Sequence, residues 1–276
     1  MQPKRKSVGA GFTPALISFF ISLHLFLPCL AFSQSLQPSS DWQDFERMVR
    51  DGNISYRDGE KAIADWADRL EREFPQDQFQ KNISFFPLKG YSLKDVGGKN
   101  GDGYKPEGYR FLDGNRHQGH PAQDIFVRDR DQDGLDDPTG KPVEVLALAE
   151  GVVLSTFSDW KKTDLSREIR GGNYVWIYHP ALKAISYYAH LEKIFVRTRD
   201  KVQGAEAIAT LGRSGRNASL SRSPTHLHLM ILSSRNMEPM NAFPLLKSST
   251  LKHSSLPAPT FSCAAFAGTA HPALVF

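Results

Sequence analysis

The feature that most restricts the fold is a rhythm in the second half of the chain. Apolar residues recur at every second position in short runs, at 143–149, 151–157, 174–179, 184–190, 207–211 and 225–232, each bounded by turn-forming residues. A period of two over runs this short is that of half-buried strand, and no helical period separates the runs. The turn at 180–183 joins two of them as a hairpin. The expectation is a mainly β chain whose antiparallel sheet folds as a β-sandwich or partly open barrel.

The last run carries an unusual load. In Pro224-Thr225-His226-Leu227-His228-Leu229-Met230-Ile231 two histidines stand two apart, so a strand sends both imidazoles to one face and Leu227, Leu229 and Ile231 to the other. Such a pair either serves a polar site or is a pair of core histidines satisfied by local hydrogen bonds. Upstream partners decide between the two. Of nine histidines, His24, His253 and His271 fall in the terminal segments described below, which leaves, besides this pair, His117, His120, His179 and His190.

His120 and Asp124 are four apart, and Gly119 and Pro121 exclude a helix between them, so a turn must bring them together. Asp124 opens an apolar strand that would hold it rigidly, and His117 reads as a bystander. His190 ends the run at 184–190, while His179 shares a face with Val175 and Ile177 and reads as a core or supporting histidine. His120, Asp124 and one of His226 or His228 give three nitrogen and oxygen ligands. A catalytic zinc site uses that number and keeps one position for water. Zinc lowers the pKa of bound water to about 7, and a neutral imidazole beside it can take the proton, orient the water or steady an oxyanion. His190 and the other member of the pair are candidates for that work. The H-E-x-x-H helix is absent, which excludes the helical mechanism with a glutamate base.

The rest of the chain frames this region. Lys4-Arg5-Lys6, an apolar stretch and Ala31-Phe32-Ser33 follow the order of a secretory signal over residues 1–33, too short in its apolar part for the roughly twenty residues of a membrane span. Residues 1–33 hold three basic and no acidic side chains, so the remainder has 31 basic against 30 acidic and gives no argument for nucleic acid. Cys29 would leave with the signal and Cys263 would stand alone, so no intrachain disulfide is expected, nor any membrane association of the mature chain. Residues 34–86 form an amino-terminal helical segment. Ser40 caps a short helix through Trp42, Phe45 and Val49, and a second helix spans 58–74 before Pro75. The pair packs on the main domain or serves as a pro-region or arm for a regulator. The β-rich domain is expected over 87–247, opening with Gly-rich loops to 119, and residues 248–276 read as a disordered tail.

His120-x-x-x-Asp124, Tyr188-Ala189-His190-Leu191 and His226-Leu227-His228, in that order, resemble the lysostaphin-type zinc metallopeptidases that cut peptide bonds in bacterial peptidoglycan. The resemblance includes Ala149-Glu150-Gly151-Val152-Val153, Gly172-Asn173-Tyr174-Val175 and Gly212-Arg213-Ser214-Gly215, and covers about residues 110–235. It implies a β-sandwich with a groove, one zinc ion held by His120, Asp124 and His228, and His190 and His226 acting on the water and the transition state. It implies peptidoglycan peptides as substrate and an exported, periplasmic or extracellular protein. A non-enzymatic cell-wall-binding or regulatory module on the same fold is the alternative, and a peptidase directed at proteins is a third reading. Two departures stand out. Ala122 occupies the position where the family carries glycine two residues after the ligand histidine. An acidic insertion, 129–137, alternates carboxylates before Gly134 and resembles the first half of a calcium loop with Asp129, Asp131 and Asp133 as donors. It lacks the glutamate at the twelfth position, and a solvated acidic turn is the competing reading.

Overall fold

The computed structural model describes residues 42–80, 84–163 and 169–249. The expected signal segment, Ser40 and the residues from 250 onward lie outside them. Helix α1 (Trp42–Arg50) buries Trp42, Phe45 and Val49, and Gly52 takes the left-handed conformation (φ 71°) that stops it. Helix α2 (Tyr56–Glu73) starts where the Ser55 hydroxyl accepts the Asp58 N–H at 3.1 Å, and buries Ala62, Ile63, Trp66, Ala67 and Leu70 at helical spacing. After a loop region of short 3₁₀ turns come β1 (Ala122–Phe126), β2 (Leu135–Asp136), β3 (Lys141–Pro142), β4 (Glu144–Leu146), β5 (Gly151–Phe157) and β6 (Asn173–His179). Then follow β7 (Ala184–Ile194), β8 (Lys201–Val202), β9 (Ala207–Leu211), β10 (His226–Ser233), β11 (Pro239–Met240) and a short helix α3 (Phe243–Ser248).

The fold is mainly β and antiparallel, as the sequence rhythm requires. Strands β2 and β3 form a separate ribbon; the others make one branched sheet in the order β1-β10-β7-β6-β5-β8. β11 pairs with the far end of β10, and the β4–β9 pair joins through the end of β7. The branch point is His190. Along one edge β7 pairs with β10 up to Ala189 and with β9 from Leu191, while β6 follows the other edge to Leu191 across a register shift. The sheet is open, with no closed barrel among the described residues. Helix α3 was not anticipated, since Pro244 masks so short a turn of helix, and it buries Leu246.

Each face of the sheet has its own core, sorted by the period of two. On β6, Val175 and Ile177 join Ile125, Leu227, Leu229 and Ile231 in one; Tyr174, Trp176 and Tyr178 join Ile185, Met230 and Leu232 in the other. The helical pair supplies the cover of the second core through Trp42, Phe45, Val49, Ile63, Trp66 and Leu70. Trp42 meets Trp66 and Trp176 edge-on at centroid distances of 5.4 and 6.0 Å. The helices therefore pack on the sheet. His226 and His228 share their face with Met230 and Leu232, so one face of β10 is polar at one end and core at the other.

Candidate metal centre

Strand pairing brings the expected ligands together. Antiparallel register sets Asp124 on β1 directly opposite His228 on β10, and Phe126 opposite His226. His228 Nδ1 lies 3.1 Å from Asp124 Oδ1. His120 precedes β1 and is tied down by a bridge to Lys105, with its N–H on the Lys105 carbonyl at 2.5 Å. Its Nε2 stands 3.3 Å from the same Asp124 oxygen. Ligand atoms of His120, Asp124 and His228 all lie within 4.8 Å of one another, an arrangement that can hold a metal ion. His226 Nε2 is 3.8 Å from Asp124 Oδ1, just outside that group.

Backbone carbonyls fix the ring orientations. A carbonyl only accepts, so the ring nitrogen facing it must carry the proton. His120 Nδ1–H donates to Gly103 (3.1 Å), His190 Nδ1–H to Ser214 (2.8 Å) and His226 Nδ1–H to Pro224 (2.7 Å). In each neutral ring the Nε2 lone pair is then left for the site. Burial pushes His190 down to about 3, helped by the neighbouring His226 and His228, and lowers His226 in the same direction. Burial alone would raise the Asp124 carboxyl, but hydrogen bonds from His120 and His228 reverse this and hold it well below the usual carboxylate range. His120 is raised, first by its hydrogen bond to Asp124.

His190 occupies a conformation that a non-glycine residue rarely takes, with φ 66°. The bend it makes in β7 turns its imidazole toward His226, with centroids 4.9 Å apart. The motifs at 172–175 and 212–215 hold this bend. His190 N–H donates to the Gly171 carbonyl at 2.9 Å, and the Gly212 N–H donates to the His190 carbonyl at 2.9 Å. Ser214 accepts from Asn173 N–H and donates to the Leu191 carbonyl. The two loops touch so closely that a Cβ on Gly172, itself at φ 71°, would fall 2.3 Å from backbone atoms of Ser214 and Gly215. The sequence shows both glycine motifs but not their task.

Above the histidines lies a cleft of about 430 Å³. Its walls include His117, which packs on Tyr109, and Pro121 beside His120. The sequence reading missed the remaining wall. α1 contributes Glu46, Val49 and Arg50, and the sheet contributes Tyr174, Trp176 and Tyr187. Tyr174 donates to Glu46 at 2.9 Å, and burial raises both groups. The amphipathic stripe of α1 signals a buried helix, yet nothing local signals where it docks. His179 stands apart from the cluster's contacts as a structural histidine. It is fully buried, its Nδ1–H donates to the Glu150 carbonyl, and its Nε2 accepts from Ser186 at 2.7 Å.

The acidic insertion gathers a different trio from the one expected. Asp129, Asp131 and Asp137 bring carboxylate oxygens within 4.8 Å of one another. Asp133 is not in the group; its Oδ1 closes a turn on the Leu135 N–H at 2.7 Å.

Residues 130–242 match the sequence profile of Peptidase family M23. Over that stretch the chain is similar to the M23 peptidases. The matched stretch contains His190, His226 and His228, while His120 and Asp124 lie just ahead of it. No curated protein matches the chain. Among solved structures, a zinc-containing peptidase from Vibrio cholerae is similar at 23% identity, with 59% of this chain and 40% of that chain covered and a TM-score of 0.39. The antimicrobial peptidase lysostaphin from Staphylococcus simulans is similar at 21% identity, covering 58% of this chain and 54% of that one, with a TM-score of 0.35. A complex of SpoIIIAH and SpoIIQ contains a chain that is 18% identical, covering 59% and 99%, with a TM-score of 0.39. The chain thus spans about two fifths of the Vibrio protein and about half of lysostaphin. Among its described residues no helix is long and apolar enough to cross a membrane.

Proposed function

We propose that the chain is a zinc-dependent endopeptidase that hydrolyses peptide bonds in the cross-links or stem peptides of peptidoglycan. One observation carries the reading: His120, Asp124 and His228 converge within 4.8 Å at the floor of a cleft, with His190 and His226 alongside. Two imidazoles and one carboxylate are the donor set of a catalytic zinc site. Among the described residues Asp124 forms ion pairs with imidazoles alone, so no fixed Lys or Arg competes for its charge.

In this reading His120, Asp124 and His228 hold the metal. Bound zinc supplies Lewis-acid polarisation of the scissile carbonyl and a lowered pKa for water. His190, neutral and with Nδ1–H engaged by Ser214, offers Nε2 as the base that takes the proton of the attacking water and returns it to the leaving amine. His226, its Nδ1–H held by the Pro224 carbonyl, offers its Nε2 lone pair from the adjacent strand position to orient the attacking water. The aromatic wall of Tyr174, Trp176 and Tyr187 gives an extended peptide a rigid surface. A peptidoglycan substrate sets the place of action in the periplasm or outside the cell, in keeping with residues 1–33 read as a signal.

The test is incubation of the zinc-loaded full chain with purified peptidoglycan, with mass spectrometry of released fragments. New peptide termini are expected, and none with His228→Ala. Intact wall with retained zinc would favour the wall-binding module, and casein cleavage with intact wall a protein-directed peptidase.

A further inference from the structure

Two carboxylates of the acidic insertion are buried, and only one is fully satisfied. Asp136 accepts from the Tyr91 hydroxyl and from Thr139 Oγ1 at 2.9 Å, and lies 3.3 Å from Arg128 Nη2. Asp129 is 7% exposed. Its Oδ2 accepts from the Gly134 N–H at 3.0 Å and the Thr225 hydroxyl at 2.6 Å, but its Oδ1 is buried with no hydrogen-bond partner. A buried carboxylate oxygen without a donor is costly, and the cost grows where other carboxylates crowd it. Here Asp131 and Asp137 do so, with oxygens within 4.8 Å of Asp129's.

We propose that Asp129, Asp131 and Asp137 form a second metal site, for a hard divalent cation of calcium's class. One ion in the group removes both penalties at once. An all-oxygen donor set suits calcium, whose bonds of about 2.3–2.6 Å let oxygens of this separation share one ion. Magnesium, which demands a near-ideal octahedron, suits three carboxylates on an irregular loop less well. The site differs in chemistry from the histidine cluster and stands whether or not the cluster holds zinc.

Its position gives it a task. The Thr225 hydroxyl that donates to Asp129 also accepts from Arg213 Nη1 at 2.6 Å, and Arg213 Nη2 reaches back to Gln132 of the insertion at 3.0 Å. Thr225 immediately precedes His226, and its carbonyl accepts from Val127 N–H at 3.1 Å. An ion on Asp129 therefore pins the insertion to the strand end from which His226 and His228 project.

Calcium titration of the calcium-stripped, zinc-loaded full chain by calorimetry, with magnesium in parallel, tests the site. Saturable binding of one calcium ion is expected, with a rise of several degrees in Tm and weaker binding of magnesium. Asp131→Asn and Asp137→Asn, both at exposed positions, should each weaken calcium by about tenfold or more, while Asp133→Asn binds as the parent does. Absence of binding at millimolar calcium in a chain shown folded by circular dichroism overturns the proposal. Parent-like binding by the Asp131→Asn, Asp137→Asn double variant also overturns it, and loss confined to Asp133→Asn overturns the donor set.

Discussion

Asp124 and Asp129 stand five residues apart on one stretch of chain, and the protein treats their charges in opposite ways. Asp124 sits on a strand, where cross-strand register places His228 opposite and His226 two positions along, so imidazoles surround its Oδ1 at 3.1–3.8 Å. Asp129 sits in a loop, where its partners are a backbone N–H, a hydroxyl and two other carboxylates, and one of its oxygens has no donor. Strand pairing sets donors at fixed register positions, the rigidity that a catalytic metal site requires. A loop gathers oxygens loosely, as suits a cation that only holds chain together.

The contrast can be broken most sharply at the strand site. Asp124→Ala or His228→Ala should lose zinc and hydrolysis together, measured by metal analysis and peptide release; retained zinc at parent activity would place the metal elsewhere. His190→Asn, whose side chain tolerates the left-handed backbone, should keep the fold and the zinc but lose on the order of 10²–10⁴ in rate. Full activity in that variant would remove His190 from the chemistry.

His179 offers a third way of burying a polar group and sharpens the comparison, because burial keeps it neutral, two fixed hydrogen bonds satisfy its ring nitrogens and it needs no ion. Burial lowers it from 6.5 to about 4. The unfolded chain therefore takes up this proton at higher pH than the folded one. Stability from this group is whole above pH 6.5 and falls as pH drops toward 4, by on the order of 3 kcal/mol. Denaturant melts across that range should show the loss, and His179→Asn should flatten it; an unchanged slope would assign the acid sensitivity to other groups. The smallest effect is expected from selective removal of calcium. A calcium chelator should lower Tm by a few degrees and leave zinc in place, whereas a zinc chelator should abolish hydrolysis. Identical responses to the two chelators would merge the sites into one.

What the sequence could reveal follows the same division. The strand rhythm and the shared face of His226 and His228 are local properties, and both are legible from a period of two. The choice of Asp137 over Asp133 in the loop is not, because it depends on how the loop folds back on itself. Nor is the bend at His190, since nothing in Tyr188-Ala189-His190-Leu191 marks a histidine for positive φ; the cause lies in loops at 171–172 and 212–215 that meet it only in three dimensions. The docking of α1 on the cleft is invisible for the same reason: its apolar stripe says that it is covered, not by what.

The sharing of one aromatic layer between cleft and helical cover has a practical edge. Trp176 and Tyr187 line the cleft and also pack in the core that Trp42, Phe45 and Trp66 close. A protein trimmed to the family-matched residues would lose α1, α2 and β1 together. It would bare those rings to water and leave β10 an unpaired edge carrying two histidines without their aspartate, so trimming would yield an adhesive fragment instead of a minimal enzyme.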